Sequence, residues 1–372
     1  MFLKSLLLTN FKSYTQASFQ FDQRLVALVG KNGSGKTNVL DALHHLSLAR
    51  SAFHKQDLLN ITHEADFYRL DAQIEIESKV NRLELVYNQA DKKKILWNKS
   101  SIDRITDHIG RLPLVLILPD EPYLMNESSE WRRNFFDSTL SQAFNGYLTA
   151  LHLYKRLLNQ RNATLKYFHE HRKTDLDLLE TIDSQMHLQA EILHRIRNAY
   201  LPDLANLVAT EYQWISDQSE QAGLERKTEM ETEDHLTIFR RNIQHDLENQ
   251  RTNGGIHKDD YQFLLDEKPI KKLGSQGQQK TYLLALKLAQ YRFLQKQLGR
   301  NPWLLMDDIF DKLDDTRIQK LVELVSQPTM GQVFITDARP ERSKDLLSAS
   351  GDLVQWISVR NSGSPFGARG LA

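Results

Sequence analysis

The sequence predicts an α/β protein in which a sheet-containing domain is interrupted by a mainly helical insert. Three observations lead to this prediction. Short apolar runs alternate with polar breaks from Phe2 to Val29 and lead to a glycine-rich loop, as strands before a tight turn do. Glycine and proline become rare from Ser128 to about Gln250, where apolar residues follow a helical period. The strand pattern returns after Gly254.

The composition narrows the class of protein. The chain has 372 residues, of which 40% are hydrophobic, enough for a large core and for two domains or lobes. Its 48 basic and 48 acidic residues balance, so any nucleic-acid site must be a local patch. Cysteine is absent, which excludes disulfides, thiolate metal sites and a cysteine nucleophile. There is no long apolar run and the start is a poor signal peptide, so we expect a cytoplasmic protein without a membrane span.

Residues 1–125 are predicted to form the N-terminal part of the sheet domain. The runs LLL, FQF and LVALV predict strands before the glycine-rich loop, and RLDAQIEIE and RLELVY predict two more after it. Between them, Val39, Leu40 and Leu43 recur at helical spacing. A helix is therefore expected directly after the loop.

Residues 126–250 are predicted to form a mainly helical lobe with a short coiled-coil-like arm. The seam of this arm steps by three and four residues through Leu179, Ile182, Met186, Gln189, Leu193, Ile196 and Tyr200. We expect Pro202 to end this helix. The seam is short, so a compact bundle is favoured over a long rod.

Residues 251–360 are predicted to complete the sheet domain, and residues 361–372 to form a flexible tail. The runs YQFLL, WLLM and QVFIT each predict a strand, and a helix is expected from about Gln278 to Leu298.

The segment GKNGSGKT fits the phosphate-loop pattern GxxxxGK[ST] and lies between a predicted strand and a predicted helix. These flanking elements disfavour the alternative, a chance glycine turn. Glycines in such a loop let successive N–H groups and the helix start surround phosphate oxygens. Lys36 is expected to reach the β- and γ-phosphates and to take part in catalysis, and the Thr37 hydroxyl is expected to ligate Mg²⁺. The residues expected to bind ATP here are Gly30, Lys31, Asn32, Gly33, Ser34, Gly35, Lys36 and Thr37.

Two acids follow the apolar run WLLM, as expected of a buried strand whose carboxyl end opens on a ligand crevice. Asp307 is predicted to hold Mg²⁺, directly or through water. Asp308 is predicted to orient and deprotonate the attacking water, which phosphoryl transfer requires. Alone this pattern is weak, because acids commonly cap strands; the phosphate loop gives it weight.

The segment LGSQGQQK precedes a predicted helix, and Ser275, Gly277 and Gln278 fit the pattern SxGQ. Ser275 is therefore either a plain helix cap or part of a second phosphate-binding helix start. The order of phosphate loop, SxGQ and an apolar-Asp-Asp strand resembles the ABC-type ATPase head, which has a mixed β-sheet core. The resemblance implies that these three residues act in trans, on the γ-phosphate of ATP held by a second subunit.

The same resemblance implies that Asp314 belongs to the D-loop, which helps to join the two ATP sites of a dimer. In many ABC proteins the residue at position 308 is Glu; the shorter Asp308 implies slow turnover. The switch histidine of that superfamily is expected after QVFIT, where this sequence has Thr336 and Asp337. No switch residue is assigned.

Six segments in one order resemble the RecF family, which belongs to the SMC-like group of ABC-type ATPases. They are NFKSY with its flanking residues, NGSGKTNVLDAL with the following ARS, LPDEP with EWRRNFFD, GIHKDD, SQGQQ and LLMDDIFDKLD. By the same resemblance, Lys12 lies beside the nucleotide phosphates and Asn32 and Asn38 contact ATP. The family usually shows His-Arg-Asp-Asp where this chain has Lys258 as the second residue, and we expect a loop-stabilising salt bridge there.

The RecF resemblance implies a weak, DNA-stimulated ATPase whose ATP-driven homodimer clamps duplex DNA. It further implies action at junctions of single- and double-stranded DNA, with RecR and RecO, in recombinational repair and replication restart on the bacterial nucleoid. Two alternatives remain. An OLD-like ATPase/nuclease shares such a head but adds a Toprim acid cluster. A transporter-type ABC ATPase needs a membrane partner and has no helical insert of this length.

A local basic field is predicted in the helical lobe. Between Leu151 and Lys173 the basic residues outnumber a single acid, Glu170, and aromatic residues are interleaved with them. Such residues contact DNA phosphates without reading sequence, although many charge runs are only solvated helix faces. The residues proposed to contact DNA are Lys155, Arg156, Arg161 and Lys166.

Overall fold

The computed structural model describes residues 1–118, 121–216, 220–311, 313–347 and 354–360, without the side chains at positions 122 and 311. The predicted tail, residues 361–372, lies outside the described residues. The chain divides into two compact units. The first unit comprises residues 1–121 and 290–372, and the second comprises residues 122–289.

Strands and helices occur in groups along the chain, with β4 to β7 in succession and α3 to α6 in succession. The strands are β1 (Phe2–Phe11), β2 (Tyr14–Gln20), β3 (Leu25–Val29), β4 (Phe67–Ile76), β5 (Lys79–Asn88), β6 (Lys92–Trp97), β7 (Ser100–Ser101), β8 (Leu114–Ile117), β9 (Ala222–Lys227), β10 (Asp260–Leu265), β11 (Lys268–Pro269), β12 (Trp303–Met306), β13 (Val333–Asp337) and β14 (Val354–Ser358). The helices are α1 (Lys36–Leu48), α2 (Ile105–His108), α3 (Pro122–Asn126), α4 (Ser129–Ala143), α5 (Asn145–His171), α6 (Leu176–Ser216), α7 (His235–Asn249), α8 (Ile270–Leu273), α9 (Gln276–Leu298), α10 (Asp315–Ser326) and α11 (Pro340–Leu347).

Two sheets build the first unit. One is antiparallel, with the strand order β2-β1-β4-β5-β6-β7. The other is parallel, with the order β14-β3-β13-β12-β8. One apolar cluster contains residues of both sheets and of α1, among them Phe11, Leu43, Trp303 and Phe334. The parallel sheet explains why β3 is buried at every position and reads as an uninterrupted apolar run.

The second unit is mainly helical. Helices α5 and α6 pack antiparallel, with Tyr147 near Arg197 and Arg161 near Asp183. The predicted seam is buried at Leu179, Ile182, Met186 and Leu193. Ala190 is also buried, and beyond Leu193 the buried residues of α6 are Arg197, Leu204, Val208, Tyr212 and others that lie off the predicted seam.

The expectation that Pro202 ends this helix is wrong, because α6 continues to Ser216 with Pro202 inside it. Proline removes the N–H that would bond to the carbonyl four residues earlier, a loss of about 3 kcal/mol in a helix interior. Leu204 and Val208 are buried beyond it. Their packing outweighs the local preference.

A small sheet of order β11-β10-β9 also belongs to the second unit. Strand β9 lies within the predicted helical insert, and β10 pairs with it antiparallel, with Phe263 opposite Leu224. This pairing holds residues 251–289 in the second unit, whereas the sequence pattern grouped them with the sheet domain. Among the described residues, no helix combines the length and apolar character that crossing a membrane requires.

Candidate nucleotide-binding site

The glycine-rich loop lies between β3 and α1 in the first unit. Gly35, the residue before α1, has φ of +103°, a left-handed conformation that side chains rarely adopt. A Cβ atom at Gly35 would lie 2.6 Å from the Tyr14 Oη, and one at Gly30 would lie 2.3 Å from the Val359 carbonyl oxygen. Glycine is therefore required at Gly35 by conformation and close packing, and at Gly30 by close packing.

Lys36 and Ser34 give this loop the character of an anion site. The Lys36 ammonium donates hydrogen bonds to the carbonyl oxygens of Gly30 at 2.9 Å and Lys31 at 3.2 Å, so its charge is held over the loop. The Ser34 hydroxyl is buried and has no hydrogen-bond partner among the described residues. A buried donor without an acceptor is costly, and a phosphate oxygen would satisfy it. Lys31, Asn32 and Gly33 are exposed on the same loop.

Thr37 meets Asp307 across the parallel sheet. The Thr37 hydroxyl lies 3.0 Å from Oδ1 and 3.1 Å from Oδ2 of Asp307. The loop follows β3 and Asp307 follows β12, and these two strands are separated in the sheet only by β13. The structure therefore brings together the two residues that the sequence predicts to hold Mg²⁺. A hydroxyl beside a carboxylate fits this hard cation, which takes few protein oxygens and completes its shell with water and substrate phosphates.

Thr336, at the carboxyl-terminal end of β13, connects the two acids that follow β12. Its hydroxyl donates to Asp307 Oδ1 at 2.7 Å and accepts a hydrogen bond from the Asp308 N–H at 2.9 Å. Asp308 has φ of +42°, a left-handed conformation that turns the chain sharply after the strand. The role of Asp308 toward an attacking water stays a prediction.

The β1–β2 turn and the first residue of β2 contact the first two turns of α1. The Lys12 ammonium lies 2.6 Å from the Asp41 carboxylate, the Asn38 amide donates to the Ser13 hydroxyl at 2.8 Å, and the Tyr14 hydroxyl donates to the Gly35 carbonyl at 3.1 Å. Contact of Lys12 and Asn38 with a nucleotide stays a prediction.

Asp41 is fully buried and fixes this corner of the site. It accepts hydrogen bonds from the Ser51 hydroxyl at 2.7 Å and the Ala52 N–H at 2.6 Å in addition to pairing with Lys12. Burial alone would raise the pKa of the Asp41 carboxyl, but the Lys12 charge and these hydrogen bonds outweigh burial and lower the pKa. The Asp41 carboxyl therefore stays ionised at neutral pH.

The signature residues lie in the second unit, at the start of α9. Ser275 and Gln278 form a capping box: the Ser275 hydroxyl accepts from the Gln278 N–H at 3.2 Å, and the Gln278 side-chain oxygen accepts from the Ser275 N–H at 2.7 Å. Ser275 is exposed, and Gly277 lies in the first turn of the helix. The helix-cap interpretation is therefore correct as a local description, and the action of these residues in trans stays a prediction.

The D-loop candidate Asp314 caps α10 in the first unit. Its side chain accepts a hydrogen bond from the Arg317 N–H at 3.0 Å. Position 312 of the same segment lies outside the described residues.

Arg161 does not belong to a DNA-contact surface. Its side chain is fully buried and bonds to Asp183 and Asp246, each at 2.6 Å, and to the Thr252 hydroxyl at 2.9 Å. The prediction that Arg161 contacts DNA is wrong, because its guanidinium is already engaged inside the second unit. By contrast, Lys155, Arg156 and Lys166 are exposed on α5.

The GIHKDD segment is a structural hub of the second unit. Asp259 accepts from Arg197 at 2.6 Å, and Asp260 accepts from both ends of the Arg132 guanidinium at 2.8 and 3.0 Å. His257 contacts the Tyr154 hydroxyl at 2.8 Å. The expected loop-stabilising salt bridge is present.

Sequence reasoning did not identify Thr336, Asp41 and Ser13 as parts of the site. For Thr336 the available signal was its position directly before Asp337 at the end of a strand, where the expected histidine is missing. For Asp41 the signal was its spacing of four residues from Thr37, which places both on one face of α1.

Known proteins resemble this chain in sequence and in fold. The family model described as RecF/RecN/SMC N terminal domain matches residues 2–112. The chain is 41% identical over 350 residues to the DNA replication and repair protein RecF of Flavobacterium johnsoniae, which covers 94% of this chain and 98% of that relative. It is 39% identical over 343 residues to the protein of the same name from Cytophaga hutchinsonii, which covers 92% of this chain and 91% of the relative.

A solved structure of the recombination mediator protein RecF with ATPrS, in the RecFOR pathway, superposes on this chain with a TM-score of 0.85. The two share 23% identity, and the match covers 97% of this chain and 96% of the other. This likeness confirms the predicted fold class, an ABC-type ATPase head with a helical lobe.

Proposed function

The chain belongs to the RecF family, and on that premise we propose that it is an ATP-dependent switch protein of bacterial DNA repair. The observation that carries the proposal is the contact of Thr37 with Asp307 beside a phosphate loop that holds the Lys36 ammonium. These groups suit a nucleoside triphosphate with a divalent cation.

In this proposal the residues of the first unit divide the work on ATP. The loop N–H groups and Ser34 bind phosphate oxygens, and Lys36 moves its donor bonds from the loop carbonyls to the β- and γ-phosphates. Thr37 and Asp307 hold Mg²⁺, which neutralises charge on the phosphates when bound. Asp308 orients the attacking water and accepts its proton. A carboxylate one methylene shorter than Glu positions water less well, which favours slow turnover.

The signature residues complete the site from a second copy of the chain. Ser275, at the exposed start of α9, donates a hydrogen bond from its hydroxyl to the γ-phosphate held by the loop of the partner. ATP binding therefore drives dimerisation, and hydrolysis with phosphate loss releases the two subunits. Asp314 contributes to the joint between the two sites.

DNA is the proposed ligand of the ATP-bound dimer. The exposed Lys155, Arg156 and Lys166 on α5 provide phosphate contacts that do not depend on sequence. The family to which the chain belongs supports action in the cytoplasm at junctions of duplex and single-stranded DNA, with RecR and RecO, during recombinational repair and replication restart.

The first prediction tests this function directly. Dimer mass is measured by light scattering across a titration of ATP with Mg²⁺, with and without duplex DNA, for the wild type and for Lys36→Arg. We expect the wild type to dimerise with ATP and to bind duplex DNA at least about tenfold more tightly than without it, a coupling of about 1.4 kcal/mol. Lys36→Arg should remain monomeric, because the planar guanidinium does not fit a site shaped for a compact ammonium.

Lys55→Arg serves as the matched control, since Lys55 is exposed and outside the proposed site. It should behave as the wild type. The proposed function would be overturned if ATP changed neither the mass nor the DNA affinity of the wild type and if Lys36→Arg behaved in the same way.

A further inference from the structure

A carboxylate in the second unit links the signature motif to the long helix α6. Glu220 accepts a hydrogen bond from the Gln278 side-chain amide nitrogen at 2.6 Å through Oε1. Its other oxygen, Oε2, accepts from the Tyr212 hydroxyl at 2.8 Å. Tyr212 is a buried residue of α6, whereas Gln278 lies in the first turn of α9. One side chain thus bridges these two helices.

The bridge determines which way the Gln278 amide faces. An amide has an acceptor oxygen on one side and a donor NH₂ on the other. When the NH₂ bonds to Glu220, the oxygen faces the Ser275 N–H, which is the contact that closes the capping box at 2.7 Å. Without the carboxylate the amide can turn over, and its NH₂ would then meet the Ser275 N–H, donor against donor.

The capping box in turn determines what the Ser275 hydroxyl can do. Its oxygen already accepts the Gln278 N–H at 3.2 Å, so the hydroxyl proton is directed away from the helix. Ser275 is exposed. An anion at the start of α9 would accept a hydrogen bond from this hydroxyl and would also interact favourably with the partial positive charge of the helix end. A loosened cap would give the hydroxyl a range of orientations.

We propose that Glu220 is a positioning residue for the signature motif: held by Tyr212, it fixes the Gln278 amide and so presents Ser275 to the ATP of a second subunit. The inference rests on the proposed function, because it assigns a support to the same composite site. It also connects helix α6 to the signature motif through Tyr212.

The second prediction compares Glu220→Ala with wild type in three assays: dimerisation, ATP turnover and nucleotide binding. We expect ATP-driven dimerisation and ATP turnover to fall about tenfold or more, since small displacements of a positioning group have effects of this size. Binding of a fluorescent ATP analogue to the monomer should keep the wild-type Kd, because the phosphate loop lies in the first unit. If Glu220 only stabilised the fold, Glu220→Ala would weaken both dimerisation and nucleotide binding, or it would change neither.

Conservative variants separate hydrogen bonding from charge and from folding. In Glu220→Gln the side-chain oxygen can still accept a hydrogen bond from the Gln278 amide, and the NH₂ can donate one to the Tyr212 oxygen. This variant should therefore keep at least half of the wild-type dimerisation. Tyr212→Phe deletes one hydroxyl and should show a smaller loss than Glu220→Ala. Glu225→Ala, on the exposed side of β9, is the matched control and should change nothing.

Mixing two defective proteins provides the sharpest readout. In a mixed dimer of Lys36→Arg and Glu220→Ala, one composite site has an intact loop from one subunit and an intact signature from the other. The mixture should therefore show more turnover than either variant shows alone.

Two failures are distinguishable. If the wild type does not dimerise with ATP, the proposed function itself fails. If the wild type dimerises and Glu220→Ala matches it, or Glu220→Gln is as defective as Glu220→Ala, or the mixture stays inactive, the role of Glu220 is overturned.

Discussion

At the scale of single residues, the Thr336 hydroxyl makes two hydrogen bonds in the candidate site. It donates to Asp307 and accepts the N–H of Asp308, so one side chain orients the proposed metal ligand and the proposed base. Groups that orient metal ligands in this way typically affect metal affinity or activity by 10- to 100-fold. We therefore expect Thr336 to support ATP turnover through its contacts with Asp307 and Asp308.

The third prediction is that Thr336→Val lowers Mg²⁺-dependent ATP turnover by about 10- to 100-fold. Valine has the same shape but leaves Asp307 Oδ1 and the Asp308 N–H without this partner. Mg²⁺ titrations of ATP hydrolysis measure the effect, and nucleotide binding without metal should be unchanged. Thr329→Val, at an exposed position, is the control. Equal Mg²⁺ dependence in wild type and Thr336→Val would contradict the assignment.

A single residue could be assigned to the site from the sequence when it belongs to a short, continuous motif. Thr37 and Asp307 each end a short pattern, so their chemistry was evident before their contact was known. Thr336 became visible only with the strand order, because its role comes from β13 lying between β3 and β12. Arg161 was misassigned although its spacing of four from both Leu157 and Leu165 places it on the buried face of α5.

At the scale of elements, the buried charge of Arg161 holds the helices of the second unit together. Its guanidinium on α5 bonds to Asp183 on α6 and Asp246 on α7, and lies 4.3 Å from the centre of the Phe239 ring. Burial raises the pKa of Asp183 even though Arg161 opposes this shift. Removing one partner of such a network leaves buried charge without compensation.

The fourth prediction contrasts two basic residues of α5. Arg161→Met should lower the free energy of unfolding by roughly 3–5 kcal/mol. Lys166→Ala, at an exposed position, should stay within about 0.5 kcal/mol of wild type. It should instead reduce the slope of DNA affinity against salt by about one unit. Urea unfolding and salt titrations of DNA binding measure these effects. Wild-type stability with weakened DNA binding in Arg161→Met would contradict the assignment of Arg161 to the interior of the second unit.

Elements with a clear period were predictable, and elements set by tertiary pairing were not. The runs LVALV, WLLM and QVFIT became β3, β12 and β13, and the helix expected from about Gln278 became α9, starting at Gln276. Strand β9, with the sequence AGLERK, has one glycine and three charges and was not recognised. It exists because β10 pairs with it along six residues. Pro202 was misjudged for the same reason, since packing on both sides of it maintains α6.

At the scale of the whole molecule, each compact unit buries a neutral histidine. His108 in the first unit and His235 in the second are fully buried. Burial lowers the pKa of His108 from 6.5 to about 4. Burial, with the nearby His257, lowers the pKa of His235 to about 3. The unfolded chain keeps the ordinary value, so below about pH 6.5 it binds protons that the folded chain does not. Stability is therefore complete above that pH and falls as the pH decreases toward 4.

The fifth prediction is a loss of about 1.4 kcal/mol in the free energy of unfolding per buried histidine between pH 7.5 and 5.5. Urea unfolding at the two pH values measures it. His108→Gln should reduce the pH difference by that amount, because glutamine does not titrate and retains a donor for the Leu46 carbonyl. His63→Gln, at a side chain that is 93% exposed, should leave the pH difference unchanged. An identical pH profile in His108→Gln would contradict the assignment.

Periodicity predicted a helical insert followed by a return of the strand pattern, and the predicted fold class of the whole chain is confirmed. The first unit nevertheless resumes only at residue 290, inside α9. Periodicity carries no signal for such a division within one continuous helix, because the change lies in which neighbours the helix contacts.

The contact between Thr37 and Asp307 also has a consequence for synthesis, because its partners are 270 positions apart in the chain. At 5–20 residues per second, a ribosome needs roughly 14–54 s to travel from one to the other. During that interval the nascent chain possesses a phosphate cradle but no acid to complete it. Asp307 and Thr336 arrive late, so the site that we propose for ATP and magnesium is complete only in chains whose translation has passed β13.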